Sequence, residues 1–331
     1  MSEKPFKLSE AINAALADAL AENDKVLVLG EDVADPEHGG VFGATHGLSS
    51  RFGEHRVRST PISEQAIVGA AIGASLVGYK PVAEIMLMNF TTVAMDMIVN
   101  HAAKLRFMSG GQTSVPIVIR TVTGSGFSTG GQHADYFEAW FAHTAGLKVV
   151  APATPGDAYG LLLAAIDDPD PVIFIENLPS YFLGEAGARP PKGERVPLGK
   201  ARIVREGADL TIVSYSRMVS EALAAAETLS GEGVSVEVID LRTIAPWDRQ
   251  TVLASVTKTG RLLVVHEAVK PFGVGAEIAA EIGKALFGRL KAPVERLGAA
   301  FAPVPFSKPL ETAHVPERGD IVAAAKALVE G

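Results

Sequence analysis

Glu64 stands at the head of a long uncharged run and is the first side chain here that could act as an acid or a base. Residues 59–78 read STPISEQAIVGAAIGASLVG, and from Ala66 to Gly78 the run has no charge and no side chain larger than Leu or Ile. The unpaired N–H groups of a first helical turn favour an acid, so Glu64 could be an ordinary first-turn residue, which is the commoner case. It could also be a buried acid/base whose proton affinity is tuned by desolvation.

A glycine-rich loop, residues 121–135, follows a predicted strand, and this is where open α/β sheets bind ligands. It reads TVTGSGFSTGGQHAD. A dinucleotide fingerprint needs its third glycine one place earlier, so a mobile structural turn is the favoured interpretation. His133 lies where the loop is predicted to become a helix with an apolar face of Phe137, Trp140 and Phe141. Near helix-terminal N–H groups such a histidine could stay neutral and serve a substrate, although loop histidines are more often solvated.

Two other polar clusters have weaker signals. Residues 164–171 read AAIDDPDP, and the oxygens of Asp168 and Asp170 suit a hard cation, although a solvated acidic turn is favoured on spacing alone. His266 and Glu267 end a predicted strand and are interpreted as residues that cap a sheet. The sequence contains no P-loop or HExxH motif.

Composition limits the class of protein. The chain has 331 residues, 47% of them hydrophobic, which is enough for about two domains. The net charge of −8 disfavours binding to nucleic acid, and the absence of cysteine excludes disulfides and thiolate chemistry. We expect no signal peptide and no membrane span, because the longest uncharged apolar run is too short. A cytoplasmic protein is predicted.

The elements that must position these residues alternate between strands and helices, a pattern that predicts parallel βαβ units. Strands are predicted at 26–30, 82–88, 116–121, 147–152, 171–176, 210–216, 234–240, 261–267 and 294–298. Helices are predicted at about 9–22, 64–77, 92–108, 133–145, 155–167, 248–257 and 274–287. One more helix is predicted to follow the strand at 210–216 and to end near residue 230, and a terminal helix is predicted to begin near residue 319. The segment 184–199 is rich in Gly, Pro and charge and is typical of a linker. We therefore predict an α/β protein of two doubly wound domains, 1–185 and 201–331, with a linker at 186–200.

Several segments, taken together and in order, resemble one family from about residue 6 to the C-terminus. They are TPISE (60–64), GAAIGASLVGYKPVAEIMLMNF, NHAAKLRFMSGG (100–111), PIVIRT, GQHADYFEAWFAHTAGLKVVAPATPGDAYGLL and FGVGAEI (272–278). They resemble the β subunit of thiamine-diphosphate-dependent 2-oxo acid dehydrogenases, the decarboxylating component of pyruvate, branched-chain and acetoin dehydrogenase complexes. The resemblance implies a pyrimidine-binding domain followed by a transketolase-type C-terminal domain.

The resemblance also implies where the cofactor binds. Glu64 matches the glutamate that hydrogen-bonds the ring nitrogen of the cofactor's aminopyrimidine, and Ile62, Met86 and Phe90 match positions that line the pyrimidine pocket. Glu31 matches an acidic residue that belongs, in relatives, to a proton-conducting network between paired active sites. A carboxyl group shielded from water could share its proton with the ring nitrogen and so activate the cofactor.

His133 matches the active-site histidine that faces the substrate and the incoming lipoyl group. The family commonly has His-Ser-Gln, whereas this chain has His133-Ala134-Asp135, so the resemblance does not fix pyruvate as the substrate. Relatives bind a structural potassium ion through backbone carbonyls and an Asp. The matching positions are Ile117, Ala165, Ile166, Asp168 and Asp170, of which Asp170 replaces the usual Asn.

The diphosphate and its magnesium need a GDG motif followed by a downstream Asn, and no GDG occurs in this chain. The resemblance therefore implies that a separate α chain binds the metal and that two α and two β chains assemble. The implied reaction is oxidative decarboxylation of a 2-oxo acid, with acyl transfer to a lipoyl acyltransferase. Alternatives are an acetoin-cleaving or split transketolase-like subunit, or a non-catalytic binding or electron-transfer flavoprotein-like subunit.

Overall fold

The computed structural model describes residues 6–184 and 186–331, which form two compact units. The first unit contains the chain up to Thr123 and the segment Trp140–Leu198, and the second contains Gly124–Ala139 and Gly199–Gly331. The predicted domain limits at residues 1 and 185 lie outside the described residues. The limit at residue 200 stays a prediction.

Helices and strands alternate along most of the chain, as the sequence predicts. The elements up to the first glycine-rich loop are α1 (Leu8–Glu22), β1 (Val26–Gly30), α2 (Leu48–Phe52), β2 (Val57–Ser59), α3 (Glu64–Leu76), β3 (Lys80–Leu87), α4 (Leu105–Met108) and β4 (Val118–Thr123). They are followed by α5 (Glu138–Ala142), β5 (Lys148–Val150), α6 (Pro155–Asp167), β6 (Val172–Asn177) and α7 (Leu178–Phe182). The remainder comprises β7 (Arg202–Arg205), β8 (Leu210–Ser214), α8 (Met218–Ser230), β9 (Val236–Asp240), β10 (Thr243–Ala245), α9 (Arg249–Thr259), β11 (Leu262–Val269), α10 (Val274–Ala285), β12 (Glu295–Ala299), α11 (Lys308–His314) and α12 (Arg318–Glu330).

The strands of the first unit are hydrogen-bonded in the order β5-β6-β4-β3-β1-β2, and every pair in that order is parallel. β4 and β6 are buried at every position, as expected for parallel strands that are covered on both faces. Helices α1 and α6 contribute about half of one core, which also includes Val118 and Phe174 from the sheet. α6 begins at Pro155, where the Thr154 side chain accepts a hydrogen bond from the Asp157 N–H.

The second unit has a sheet of order β12-β11-β8-β9-β7, parallel except for the β7–β9 pair. Its core includes Ile212 of β8, Ala222 of α8, Val265 of β11 and Ile321 of α12. Each predicted strand is present in one of the two units, and the prediction of an α/β fold is confirmed. β2, β7 and β10 were not predicted, since they are three to four residues long and carry no clear period.

The predicted bounds of two helices are wrong. The segment predicted as a helix at 92–108 is divided into a 3-10 helix (Met88–Ala94), a π-helix (Asp96–Ala102) and α4. The hydroxyl groups of Thr91 and Thr92 donate to the carbonyls three residues earlier, at 2.6 and 2.7 Å, and so compete with the regular helical pattern.

The helix predicted at 133–145 is limited to α5, which begins five residues after His133. The chain before it forms turns, with positive φ at Ser128 (55°) and Gly130 (74°). Positive φ at a serine is incompatible with a helix, so the loop extends further than the apolar pattern suggests.

Candidate active site

The carboxyl ends of β1, β2 and β3, here called the carboxyl edge, are where the predicted cofactor residues lie. From β1 the chain continues to β2 on one side, and from β3 it continues to β4 on the other side. The connections from neighbouring β1 and β3 therefore diverge, which creates the crevice in which open parallel sheets bind ligands. Glu31 directly follows β1, and Glu64 is the first residue of α3.

Glu31 and Glu64 form a like-charged pair at this edge. Burial raises the pKa of Glu31 above its ordinary value, and the nearby charges of Glu64 and Asp32 raise it further. Glu31 is buried, and its Oε1 has no hydrogen-bond partner among the described residues. A buried carboxyl with a free oxygen next to a second acid is suited to holding and passing a proton.

Glu64 itself is only half-buried in this chain. The expectation of a carboxyl group fully shielded from water is thus not met by the chain alone. Ser63 is the N-cap of α3, but its side chain makes no capping hydrogen bond. Glu64 is therefore accessible to a ligand at the carboxyl edge.

The apolar side chains predicted to line the pyrimidine pocket are all at least partly accessible. Ile62 is 83% exposed, while Met86 near the end of β3 and Phe90 in the following 3-10 helix are half-buried. A carboxylate flanked by accessible apolar groups fits a flat ring that carries a protonatable nitrogen. These residues therefore fit the aminopyrimidine of thiamine diphosphate.

One face of α3 is also uncovered. Ala66, Ala70 and Gly73 are exposed on α3, and Val77 directly after it is 74% exposed. The opposite face, with Ile67 and other residues, is buried in the first unit. The exposed face combines small side chains with apolar character, which permits close approach of another helix.

The predicted potassium ligands lie at the opposite end of the sheet, here called the amino edge, just before β4 and β6. The Lys148 Nζ lies 2.6 Å from both carboxylate oxygens of Asp168 and 3.4 Å from an oxygen of Asp170. Arg106 Nη1 lies 2.6 Å from the other Asp170 oxygen. Both carboxylates are therefore already neutralised by side chains of the protein.

The carbonyl oxygens of the same set also accept hydrogen bonds. Ile117 O accepts a sheet N–H at 2.9 Å, Ala165 O accepts the Asp168 N–H at 3.3 Å, and Ile166 O accepts from Lys80 Nζ at 3.1 Å. Each carbonyl has a second lone pair, so these oxygens still suit a hard cation, whereas the carboxylates are engaged. No group of three or more His, Cys, Asp or Glu side chains able to hold a metal occurs in residues 6–184 or 186–331.

His133 belongs to the second unit and is half-buried in a turn in which its N–H donates to Gly130 O at 3.1 Å. The adjacent Ala134 is buried and Asp135 half-buried. Because α5 begins only at Glu138, the helix terminus that was expected to act on His133 is absent there. The loop is instead held by the carboxylates of Glu267 and Glu311.

His266 and Glu267, interpreted as sheet-capping residues, lie inside β11 and are buried. Burial lowers the pKa of His266 to about 4, so its ring is neutral near pH 7, and its Nδ1 is 3.0 Å from Ala268 O. Glu267 is the more informative of the two, because it contacts the loop of His133. Its place at the end of a predicted strand was its only mark in the sequence.

Sequence reasoning missed a buried ion cluster in the first sheet. Arg120 donates to Glu84 at 2.6 Å and, through two nitrogens, to Glu176 at 2.7 and 2.8 Å, and Tyr181 hydrogen-bonds Glu176. Burial raises the pKa of Glu84, although the Arg120 charge opposes this. Each of these three charges interrupts an apolar strand, and that shared feature could have predicted that they pair.

A buried carboxyl group in the second unit was also missed. Burial raises the pKa of Glu138 to about 7, while a hydrogen bond of 2.7 Å from the Tyr215 hydroxyl opposes the shift. Sequence patterns gave no sign of this contact, because 77 residues separate the two partners.

Comparisons with known proteins agree with this fold. The family described as "Transketolase, pyrimidine binding domain" matches residues 4–182, and the one described as "Transketolase, C-terminal domain" matches residues 199–321. A split-gene transketolase, described as an inactive β4 tetramer, has a TM-score of 0.79 over 99% of both chains. Its sequence identity of 23% extends the likeness to the fold alone.

Relatives of higher identity cover almost the whole chain. The β subunit of acetoin:2,6-dichlorophenolindophenol oxidoreductase from Cupriavidus necator is 45% identical over 99% of this chain and 98% of its own length. The mitochondrial pyruvate dehydrogenase E1 component subunit β-2 of Oryza sativa subsp. japonica is 46% identical over 98% of this chain and 86% of its own length. The pyruvate dehydrogenase E1 component subunit β of Staphylococcus epidermidis is 44% identical over 97% of this chain and 98% of its own length.

No helix in the described part of the chain is both long enough and apolar enough to cross a membrane. With the two matched domains and these relatives, the chain belongs to the β subunits of the thiamine-diphosphate-dependent 2-oxo acid dehydrogenase family.

Proposed function

We propose that this chain, with an α subunit and thiamine diphosphate, catalyses the oxidative decarboxylation of a 2-oxo acid and passes the acyl group to a lipoyl acyltransferase. The observation that carries the proposal is the pair of acids at the carboxyl edge. Glu31 and Glu64 repel each other next to accessible apolar side chains, and a role in stability alone does not explain that arrangement.

In this proposal Glu64 holds a proton at the ring nitrogen of the aminopyrimidine. When bound, the cofactor supplies a carbon nucleophile for the 2-oxo group. Ile62, Met86 and Phe90 would pack against the ring and exclude water from the Glu64 carboxyl. Glu31, with its raised pKa and free oxygen, would exchange protons with Glu64.

His133 is the residue proposed to face the substrate and the incoming lipoyl group. Its neighbour Ala134 lacks the hydroxyl group common at this position in relatives, and Asp135 adds a negative charge. These two differences are the features of this chain expected to affect the choice of substrate.

The α subunit is proposed to supply the magnesium site, since the chain has no GDG motif. The exposed face of α3, with Ala66, Ala70 and Gly73, is the surface proposed for packing against another subunit. We propose an assembly of two α and two β chains. We also propose that the protein is located in the cytoplasm.

Potassium at the amino edge is a further part of the proposal. Because Lys148 and Arg106 neutralise Asp168 and Asp170, the ion would be held by backbone carbonyl oxygens, including those of Ile117 and Ala165. Such an ion would stabilise the turn before β6 and would take no part in the reaction.

Acetoin cleavage is the second candidate function. The specific observation is the acetoin oxidoreductase subunit, whose 45% identity is close to the 46% of the plant pyruvate dehydrogenase subunit. The sequence differences at Ala134 and Asp135 are compatible with a substrate other than pyruvate.

The test is to co-express the chain with its α subunit and to assay 2-oxo acids and acetoin with thiamine diphosphate, magnesium and an artificial electron acceptor. Turnover of a 2-oxo acid supports the first proposal, and turnover of acetoin alone supports the second. If no substrate reacts and calorimetry detects no binding of the cofactor, both proposals are wrong.

A further inference from the structure

The glycine-rich loop of the second unit is held from the outside by two buried carboxylates. Glu311, from α11, is 2% exposed, and Glu267, from β11, is 5% exposed. Both accept hydrogen bonds from the loop that carries His133. Its geometry therefore depends on residues far away in sequence.

Glu311 binds the backbone of the loop directly. Its Oε1 accepts the N–H of Gly126 at 2.6 Å and that of Ser128 at 3.0 Å, and its Oε2 is 3.2 Å from the Ser128 nitrogen. Burial alone would raise the pKa of Glu311, but these N–H groups and Lys308 outweigh it, so the pKa lies below its ordinary value. Glu311 is therefore ionised near neutral pH and makes charge-assisted bonds, which are about twice as strong as neutral ones.

Lys308 completes this clamp. Its Nζ is 3.2 Å from Glu311 Oε2 and donates to Gly126 O at 2.7 Å. Gly126 is thus bound through both its N–H and its carbonyl group.

Glu267 contacts the loop on both sides of His133. It accepts from the Ser125 N–H at 2.8 Å and from its hydroxyl at 3.1 Å, and the Tyr136 hydroxyl lies 3.4 Å from its other oxygen. Arg217 Nε, at 3.2 Å, balances the charge. One carboxylate therefore ties together two residues that flank His133 in sequence.

The backbone of the loop needs such restraint. Ser128 has φ 55°, a left-handed conformation that costs a non-glycine residue free energy and persists only where its surroundings impose it. Gly130 (φ 74°) approaches the ring of Phe306 so closely that a Cβ would lie 2.5 Å from one ring carbon. The bonds from Glu311 to Ser128 are what impose the left-handed turn five residues before His133.

We propose that Glu311 is a positioning residue for His133, because it fixes residues 126–128 and thereby the orientation of the turn that follows. Glu267 and Lys308 support the same geometry. The inference rests on the role of His133 in the proposed function. Glu311 acts through the loop and makes no contact with substrate.

A matched set of variants tests this inference in the complete complex with the α subunit. Glu311→Gln preserves the shape but loses the charge, and Glu311→Ala removes the acceptor. Glu221→Gln is the control. Glu221 and Glu311 line one cavity of about 340 Å³, but Glu221 makes no hydrogen bond to the loop among the described residues. We expect Glu311→Gln to lower kcat about tenfold and Glu311→Ala up to about 100-fold, since a displacement of about 1 Å can cost that much, whereas Glu221→Gln stays within twofold.

The double variant with His133→Ala separates positioning from general stability. If Glu311 acts through His133, adding Glu311→Gln to His133→Ala causes no further loss of kcat. Hydrogen exchange of the amides of residues 124–135 should rise in Glu311→Gln, while exchange in β8 and β9 stays unchanged. This readout does not depend on activity and covers the case in which Glu311→Ala fails to fold.

Four results would overturn the inference. One is multiplicative losses in the double variant, and another is an exchange pattern in residues 124–135 that matches the wild type. The third is normal kcat in Glu311→Gln when His133→Ala is slow, which refutes positioning and leaves the proposed function intact. Normal kcat in His133→Ala refutes the proposed role of His133, and with it the inference.

Discussion

The two edges of the first sheet both carry acidic side chains, but these are paired with cations at one edge and lie beside other acids at the other edge. At the amino edge, Asp168 and Asp170 are paired with Lys148 and Arg106 at distances of 2.6 Å. At the carboxyl edge, Glu31, Asp32 and Glu64 lie together, and no cation pairs with Glu31 or Glu64 in the described residues.

This difference suggests a structural role for the amino edge and a chemical role for the carboxyl edge of the same unit. A neutralised cluster contributes to stability and has little tendency to exchange protons, because its charged forms are satisfied. A cluster of like charges costs stability, and at the carboxyl edge it helps to raise the pKa of Glu31. The carboxyl edge is therefore the edge at which we expect substitutions to change activity more than stability.

The largest effect is expected at Glu64. Glu64→Ala or Glu64→Gln should lower kcat by about 10² to 10⁴, the range for removal of a general acid/base group. Thermal unfolding should change little, because Glu64 is only half-buried in this chain. Steady-state kinetics of the complex with the α subunit measure this, with exposed Glu54→Gln as the control. A Glu64 variant with full activity would remove the contrast between the edges.

Lys148→Met should lower stability and leave kcat nearly unchanged, the reverse of the effect expected at Glu64. It leaves the Asp168 carboxylate without its main partner, at a cost of about 1 to 2 kcal/mol, less than for a fully buried pair because Lys148 is 26% exposed at its side chain. Chemical denaturation measures the loss, and activity per folded molecule should stay within about twofold. The second substitution Asp168→Asn should recover part of the stability. A loss of activity without a loss of stability would contradict the structural role.

Glu31→Gln is expected to have smaller effects, a gain in stability and a loss of activity. The raised pKa of Glu31 means that the folded state favours the protonated form, so this residue costs stability as pH rises from its unfolded pKa towards its folded pKa. Glu31→Gln should thus stabilise the chain by about 1 kcal/mol at pH 7 and by less at pH 4. Activity should fall about tenfold, in keeping with an indirect role in proton transfer. Unfolding curves at the two pH values would contradict this interpretation if the gain were larger at the lower pH.

The smallest effect is expected from potassium. Replacing sodium by potassium at constant ionic strength should stabilise the wild type by less than about 1.4 kcal/mol, the value for an ion at ten times its Kd. Lys148→Met should respond more strongly, because the Asp168 carboxylate becomes available to the ion, while Asp170 stays paired with Arg106. Thermal unfolding in the two salts measures both. An equal response of the two proteins would mean that the carboxylates take no part in binding the ion.

Much of the fold was predictable because periodicity and turn residues are local signals. Strands such as β1 and the helix α6 agree with the predicted ranges, since apolar runs and capping residues define them. The division of the segment at 92–108 was missed, because the apolar pattern does not show that the hydroxyls of Thr91 and Thr92 bond to carbonyls at its start. The short strand β2 carries too few residues to show a period.

The candidate site was only partly predictable. Glu64 and Glu31 were found through residue type and family resemblance, but the interaction between their charges depends on the neighbouring positions of β1 and α3. Glu311 was missed, because it follows His133 by more than 170 residues and contacts backbone groups that leave no mark in the sequence. The same holds for the pairing of Glu84 with Arg120.

The sequence by itself determined the α/β class, most strands and helices, the lack of a diphosphate motif and the residue types able to do chemistry. These follow from local patterns, which each segment carries independently of the rest of the chain. Only the tertiary structure decided which charges are neutralised and which are not. That outcome depends on distances between segments far apart in sequence, and electrostatic free energy varies with such distances and with burial.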